Sequence, residues 1–207
     1  MDITIIGTGN MARGIATRAS EGGDSVTLLG TSEENAQALA GELSGDLSTG
    51  TVGDPLSGDV VILAVWFDAV SDIVGRYGDQ LDGKVLVDIT NPIDVDKFEP
   101  LELDAGSGAE ETAKAAPGAR VVKAFNTTFA GTLVPGKVAD QPLDVLVASD
   151  DDDAKRTVAS MVESWGLRPI DAGPLRRARQ IEALGYLHMA IQDSLGTSYG
   201  SAAKFIS

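Results

Sequence analysis

Apolar residues in this chain fall into short runs of period two or into stripes of helical period, with polar turns between them. The run Ile3-Thr4-Ile5-Ile6 reads as a buried strand, Asp2–Ile6, and breaks into Gly7-Thr8-Gly9-Asn10-Met11-Ala12. A helix over Asn10–Glu21 follows and stops at Gly22-Gly23, a C-terminal glycine signal. Ser25–Leu29 is a second strand, ending at Gly30, and Thr31 or Ser32 caps a helix with Glu33 and Glu34 in its first turn. The Gly/Ser-rich stretch Gly41–Gly58 holds a weak strand near Thr51-Val52. Asp59–Val65 is continuously apolar after its leading aspartate, as a strand covered on both faces should be. Further strands are Lys84–Asp88, Arg120–Lys123, Asp144–Ala148 and Arg168–Asp171. A polar stretch to about Ser107 and a short helix to Ala116 come before the second of these. A helix to Trp165 comes before the last, and a long helix from about Leu175 to Leu195 closes the chain. Strands alternating with helices predict an α/β fold: a doubly wound, mostly parallel sheet of the Rossmann dinucleotide-binding type, with a C-terminal helix, in one domain over residues 1–207.

In such a sheet, ligands bind beyond the carboxyl ends of the strands near the switch in strand order. That rule selects the loops Gly7–Met11, Gly30–Ser32, Val65–Asp68, Thr90–Pro92 and Ala124–Thr128. In the first, Gly7 permits the tight turn, Gly9 lets a pyrophosphate reach the backbone, and Ala12 lets the helix pack closely on the strand. In the second, no carboxylate ends the strand to bind ribose hydroxyls, and Thr31 and Ser32 could accept a 2′-phosphate. That favours NADP over NAD, although no Arg or Lys is near and Glu33-Glu34 follows at once.

Composition narrows the chemistry. With no cysteine and one histidine, His188, among 207 residues, a thiol nucleophile, a disulfide framework and a multi-histidine metal site are excluded within the chain. A net charge of −15 opposes binding to nucleic acid or an anionic membrane, and no apolar run approaches a membrane span, so the cytoplasm is expected. His188 lies in the series Ile181, Leu184, Leu187, Ile191, Leu195 and reads as packed rather than catalytic. Asp150 to Asp153 precede a helix and read as its cap rather than a metal site. Arg176, Arg177 and Arg179 read as a solvated face. Lys123 is a candidate contact for a substrate acid. Trp66 and Phe67 are core residues or a stacking surface for a flat ring. No proton donor stands out, which suits hydride transfer between two rings held in contact better than reduction of a ketone or imine.

Four motifs recur together in one family: Ile6-Gly7-Thr8-Gly9-Asn10-Met11-Ala12-Arg13-Gly14, Thr90-Asn91-Pro92, Val121-Val122-Lys123-Ala124-Phe125-Asn126, and Gly166-Leu167-Arg168-Pro169-Ile170-Asp171-Ala172-Gly173-Pro174-Leu175. With these, the chain resembles the NADPH-dependent reductases of coenzyme F420, an 8-hydroxy-5-deazaflavin, and the related NADPH-binding domain of membrane ferric reductases. The resemblance runs to the tail Gly200-Ser201-Ala202-Ala203-Lys204-Phe205. It implies hydride transfer between NADP(H) and coenzyme F420, or FMN or FAD in its place, with no catalytic side chain and no metal. Thr8, Gly9, Asn10 and Met11 would hold the pyrophosphate beside the turn at Gly7, also part of the cofactor site, and Thr31 and Ser32 the 2′-phosphate. Val65, Trp66 and Phe67 would line the nicotinamide side, with Asn91 and Pro92 beside it, and Ala124, Phe125 and Asn126 would face the ring pair. It also implies a homodimer, with residues from about 175 to 207 near both the dimer contact and the site. Two positions depart from the pattern: Ser32-Glu33 stands where family members that use NADPH often carry an arginine, and Trp66 where the deazaflavin reductases carry a proline. Two rival functions are a nucleotide-sensing module without turnover and a small-imine reductase, because Gly9-Asn10-Met11-Ala12 is also similar to the opening of pyrroline-carboxylate reductases.

Overall fold

The structure is a computed structural model that describes residues 1–206. The elements of the main fold run β1 (Asp2–Ile6), α1 (Asn10–Glu21), β2 (Ser25–Gly30), α2 (Glu33–Ala40), β3 (Leu47–Thr51), β4 (Val60–Leu63), α3 (Phe67–Tyr77), β5 (Val85–Asp88), α4 (Gly108–Ala115), β6 (Arg120–Lys123), α5 (Ala130–Leu133), β7 (Asp144–Ala148), α6 (Asp152–Ser164), β8 (Arg168–Gly173), α7 (Ala178–Ala190) and α8 (Gln192–Leu195). Eight strands form one sheet in the order β8-β7-β6-β5-β4-β1-β2-β3. The strands from β6 to β3 run parallel, in registers such as Ile5↔Leu28, Ile5↔Ile62, Ile62↔Val87 and Val87↔Val122.

Alternation along each strand builds two cores. Ile3 and Ile5, Val60 and Ile62, and Val85 and Val87 point to one face, where α1 adds Ala12, Ile15, Ala16 and Ala19 and α6 adds Val158, Met161 and Val162. Ile6, Val61, Leu63 and Leu86 point to the other, against Val70 and Val74 of α3, Ala109 of α4 and Ala178 of α7. The chain doubles back about β1: the strands after it go to β2 and β3, then cross to β4 on its other side. The loops after β1 and β4 therefore meet at the switch point.

Several boundaries differ from the sequence reading. The edge strand is Leu47–Thr51, earlier than expected, because its mixed sequence carries no clear alternation. β4 ends at Leu63, two residues short of Val65, and Lys84 lies outside β5. The polar stretch after β5 contains a small ribbon pairing Ile93–Asp94 with Glu99–Pro100. β7 pairs antiparallel with β6 at Ala148↔Lys123, and β8 runs parallel to β7, so both reverse the direction of the main sheet. The expected long closing helix is a 3-10 turn at Leu175–Arg177, then α7, a break at Ile191, and α8. At the break the Gln192 side chain donates to the His188 carbonyl at 2.7 Å, a side-chain insertion of the kind that interrupts a helix.

Candidate functional site

Five loops gather at the carboxyl edge of the parallel strands. In the first, Gly7 has φ +119°, and a Cβ there would sit 2.2 Å from the Ala64 carbonyl oxygen, so the turn demands glycine. Gly9 is different. It is the N-cap of α1 with φ −81° and ψ −173°, a conformation open to any residue, and a Cβ would meet nothing within 4 Å. The first helical bond is Arg13 N–H to the Gly9 carbonyl at 3.0 Å, so the N–H groups of Asn10, Met11 and Ala12 have no helical acceptor. Among the described residues no side chain caps them. The result is a cradle of unpaired N–H groups at the positive end of a helix, beside space that a side chain could fill.

The second loop lies against the first: a Cβ on Gly30 would stand 3.1 Å from Thr8 Cγ2. Ser32 caps α2, its side chain accepting from Asn35 N–H at 3.3 Å, and Thr31 Oγ1 accepts from Asn35 Nδ2 at 3.4 Å. The third also touches the first, since Val65 Cγ1 lies 3.3 Å from where a Gly7 Cβ would be. Trp66 is the N-cap residue of α3 and 68% exposed, so it is no core residue. With Phe67, Asp68, Asn91, Ile93, Val95 and Leu101 it lines a cleft of about 340 Å³.

The fourth and fifth loops are tied from within. Asn91 Nδ2 donates to the Asn126 carbonyl at 2.9 Å, and Asn126 Nδ2 donates to Asn91 Oδ1 at 2.9 Å and to the Ile181 carbonyl of α7 at 3.1 Å. Pro92 and Ala124 are buried. Phe125 corrects the expectation that its side chain faces a ring pair: it is fully buried and stacks on Trp165 with centroids 5.7 Å apart. Its φ of +63° sends the ring into the core and leaves only backbone at the loop.

Lys123 is a second correction. It is fully buried, pairing with Asp88 Oδ1 at 3.0 Å and Glu182 Oε1 at 2.8 Å and donating to the Thr90 carbonyl, so it cannot meet a substrate acid. Asp88 also accepts from Thr90 N–H and Oγ1, each at 2.8 Å, and from Thr112 Oγ1 at 2.6 Å. Burial alone would raise the Asp88 pKa; the Lys123 charge and these hydrogen bonds outweigh it and hold the carboxyl below its ordinary 3.8. Glu182 accepts from Gly108 and Ala109 N–H at 3.0 and 3.2 Å, so the start of α4 meets the surplus negative charge. Sequence reasoning passed over Glu182 and Gly185. The available signal was a carboxylate and a glycine set within the apolar series of a helix.

The other candidates are structural. Asp151 caps α6 through Ala154 N–H at 2.8 Å, as the capping reading expects, whereas Asp150 lies outside the cap and accepts from Leu175 N–H at 2.9 Å. Arg179 pairs with Glu110 at 3.0 Å on an exposed face. His188 is buried between the Thr127 carbonyl and Ser201 Oγ, at 3.3 and 2.8 Å, which agrees with the packed reading. Among the described residues no helix is long and apolar enough to cross a membrane.

Comparison with known proteins points the same way. The family described as NADP oxidoreductase, coenzyme F420-dependent, matches residues 2–92. The F420-dependent NADP reductase of Methanothermobacter thermautotrophicus is 35% identical over 202 residues, covering 89% of this chain and 86% of that protein. Rat metalloreductase STEAP3 is 35% identical over 183 residues, 88% of this chain, but the chain spans only 36% of its length. A solved structure of a candidate F420-dependent NADP-reductase from Arthrobacter sp. FB24 superposes with a TM-score of 0.86 at 28% identity, covering 99% of both chains.

Proposed function

The chain belongs to the family of coenzyme F420-dependent NADP oxidoreductases, and from that premise we propose that it passes hydride between NADP(H) and the deazaflavin ring of coenzyme F420. The carrying observation is the open N–H cradle at Gly9–Ala12 set at the same sheet edge as the cleft lined by Trp66, Phe67 and Asn91. Gly7, Thr8, Gly9, Asn10 and Met11 hold the pyrophosphate, and the space beside Gly9 fits it. Thr31 and Ser32 meet the 2′-phosphate. Val65, Trp66 and Phe67 take one side of the rings, and Asn91 takes the other, backed by the buried Pro92, Ala124, Phe125 and Asn126.

When bound, NADPH supplies two electrons and a proton as hydride, and the second proton of the reduced deazaflavin comes from water. The chain's own residues bind, orient and screen. His188 and Lys123 are both enclosed and engaged, so neither is available as a proton donor, and alignment of the reacting carbons carries the acceleration. Residues 1–207 act as one unit. Leu187, Ile191, Leu195, Tyr199 and Phe205 leave an exposed apolar face along α7, α8 and the tail that suits a second copy of the chain. The acidic surface fits a protein free in the cytoplasm, bound to neither nucleic acid nor an anionic membrane.

The test is an absorbance assay of purified protein with oxidised coenzyme F420, FMN or FAD as acceptor and NADPH or NADH as donor. Bleaching of the deazaflavin with NADPH is the expected result. Reaction of the flavins alone would move the acceptor to another ring class, and NADPH binding without any oxidation would favour a sensing module. Sedimentation of the same sample tests the dimer.

A further inference from the structure

α7 touches both ring-side loops, and one residue makes that contact geometrically possible. A Cβ on Gly185 would lie 2.8 Å from Asn91 Oδ1, 2.9 Å from the Asn126 carbonyl oxygen and 3.0 Å from Asn126 Nδ2. Real Cβ atoms avoid such distances, so any other residue would force the amide pair or the helix to move. A helical side chain leans over the preceding turn, towards the carbonyl four residues back. With none at position 185, the Ile181 carbonyl stays open on that side and takes a hydrogen bond from Asn126 Nδ2 at 3.1 Å. The Asn126 amide needs that bond. Its Oδ1 is buried with no hydrogen-bond partner among the described residues, so Nδ2 alone, shared between Asn91 and Ile181, fixes its orientation.

The same helix face repeats the contact on either side of Gly185. One turn earlier, Glu182 grips Lys123, which in turn holds the Thr90 carbonyl. One turn later, His188 lies against the Thr127 carbonyl. Positions 181, 182, 185 and 188 thus form one stripe facing the backs of both loops.

We propose that Gly185 is a positioning residue for hydride transfer: its bare Cα lets α7 seat the Asn91–Asn126 amide pair and so sets the spacing of the two loops beside the nicotinamide. This rests on the functional reading above. Gly185 touches no reacting atom and acts through Asn91 and Asn126. Small displacements of such supports cost rate more than affinity, because the phosphates are held elsewhere.

The experiment compares Gly185→Ala with Gly75→Ala, a glycine in α3 whose Cβ would meet nothing within 4 Å. Both gain the same helix propensity. With NADPH and oxidised coenzyme F420, Gly185→Ala is expected to lower kcat by about tenfold to a hundredfold. Its NADPH dissociation constant should stay within about twofold, while Gly75→Ala changes neither. The emission of bound NADPH should shift in Gly185→Ala alone. Asn91→Ala, which adds no volume, should reproduce the kcat loss, and the double variant should be no slower than the worse single. Unchanged kcat and emission in Gly185→Ala, or strictly additive losses, would overturn the proposal. If Gly185→Ala does not fold, Asn91→Ala decides: wild-type kcat there overturns it. If the wild-type protein binds NADPH but reduces no acceptor, the functional reading fails, and the emission shift still tests the spacing on its own.

Discussion

At the loop after β1 the chain leaves hydrogen-bonding groups free, whereas at the loops after β5 and β6 it uses most of them on itself. The glycine-turn side has unpaired N–H groups at α1, and its Gly9 answers no need of the fold. The amide side is tied by the Asn91–Asn126 pair, by Lys123 beneath Thr90 and by α7 behind both loops. A loop that must wrap a charged ligand keeps its donors for the ligand. A loop that must place a ring accurately is better held before the ligand arrives. Substitutions on the two sides should accordingly fail in different ways: loss of stability or rate on one, loss of affinity on the other.

Lys123→Met should give the largest effect. It strips the cation from two buried carboxylates, Asp88 and Glu182, at a cost of about 3–5 kcal/mol. For a chain of this size the melting temperature should fall on the order of 10 °C. Calorimetry checks this, and adding Asp88→Asn should recover part of the loss, since one uncompensated charge goes with it. A Lys123→Met protein that melts like wild type would mean that the ion set does not hold the amide side together.

Gly9→Val comes next and should fail the other way. The backbone accepts valine and its Cβ enters open space, so the melt should stay within about 1 kcal/mol of wild type. NADPH affinity should drop about a hundredfold, or ~2.7 kcal/mol, because the side chain fills the cradle. Fluorescence titration reads it; retained affinity would remove the glycine turn from the nucleotide site.

The contrast also explains what the sequence made legible. Local signals were enough for β1, α1, β6 and β7, whose bounds match the reading, because a β-branched run, a glycine turn or an N-cap needs no distant partner. The glycine-turn side was readable for the same reason: Gly7, Gly9 and Ala12 announce the turn within six residues, although the Ala64 carbonyl that also demands Gly7 lies far along the chain. The amide side was not. Lys123 looked like a free cation at a strand end because Asp88 and Glu182, its partners, lie 35 and 59 residues away in sequence. The Phe125 ring looked like part of the site, but it lies in the core against Trp165. Gly185 has meaning only against Asn91 and Asn126, which no periodicity in α7 reveals.

Nucleotide choice sharpens the glycine-turn side further. Thr31 and Ser32 stand at the start of α2, but Glu33 in the first turn adds a carboxylate next to them, its Oε1 accepting from Gln37 Nε2 at 3.1 Å. Glu33→Arg should raise the preference for NADPH over NADH about tenfold, or ~1.4 kcal/mol, while losing a few tenths of a kcal/mol of helix stability. Parallel titrations with the two dinucleotides check it. An unchanged ratio would show that the hydroxyls and the helix terminus already decide the choice.

The smallest effect concerns pH and belongs to the amide side. Burial holds the His188 pKa below its ordinary 6.5, with the Thr127 carbonyl opposing the shift. Phe129 packs on the ring at 4.3 Å, and Ser201 and Gln192 join it to the tail, so among the described residues no carboxylate offsets a charge there. The folded protein therefore takes up this proton at lower pH than the unfolded chain does. Stability from His188 is full above 6.5 and declines as pH falls from 6.5 towards the folded pKa. Asp88 acts in a separate window. Its folded pKa lies below 3.8, so its contribution is present above that value and is lost as pH falls through the folded one. Melting temperatures should thus stay level from pH 8 to 7 and slope downwards below about 6.5, and His188→Gln should flatten that slope without touching the acid limb. A slope that survives in His188→Gln would place the titrating group elsewhere, leaving the Lys123 set and the Asn91–Asn126 pair to hold the amide side without the tail.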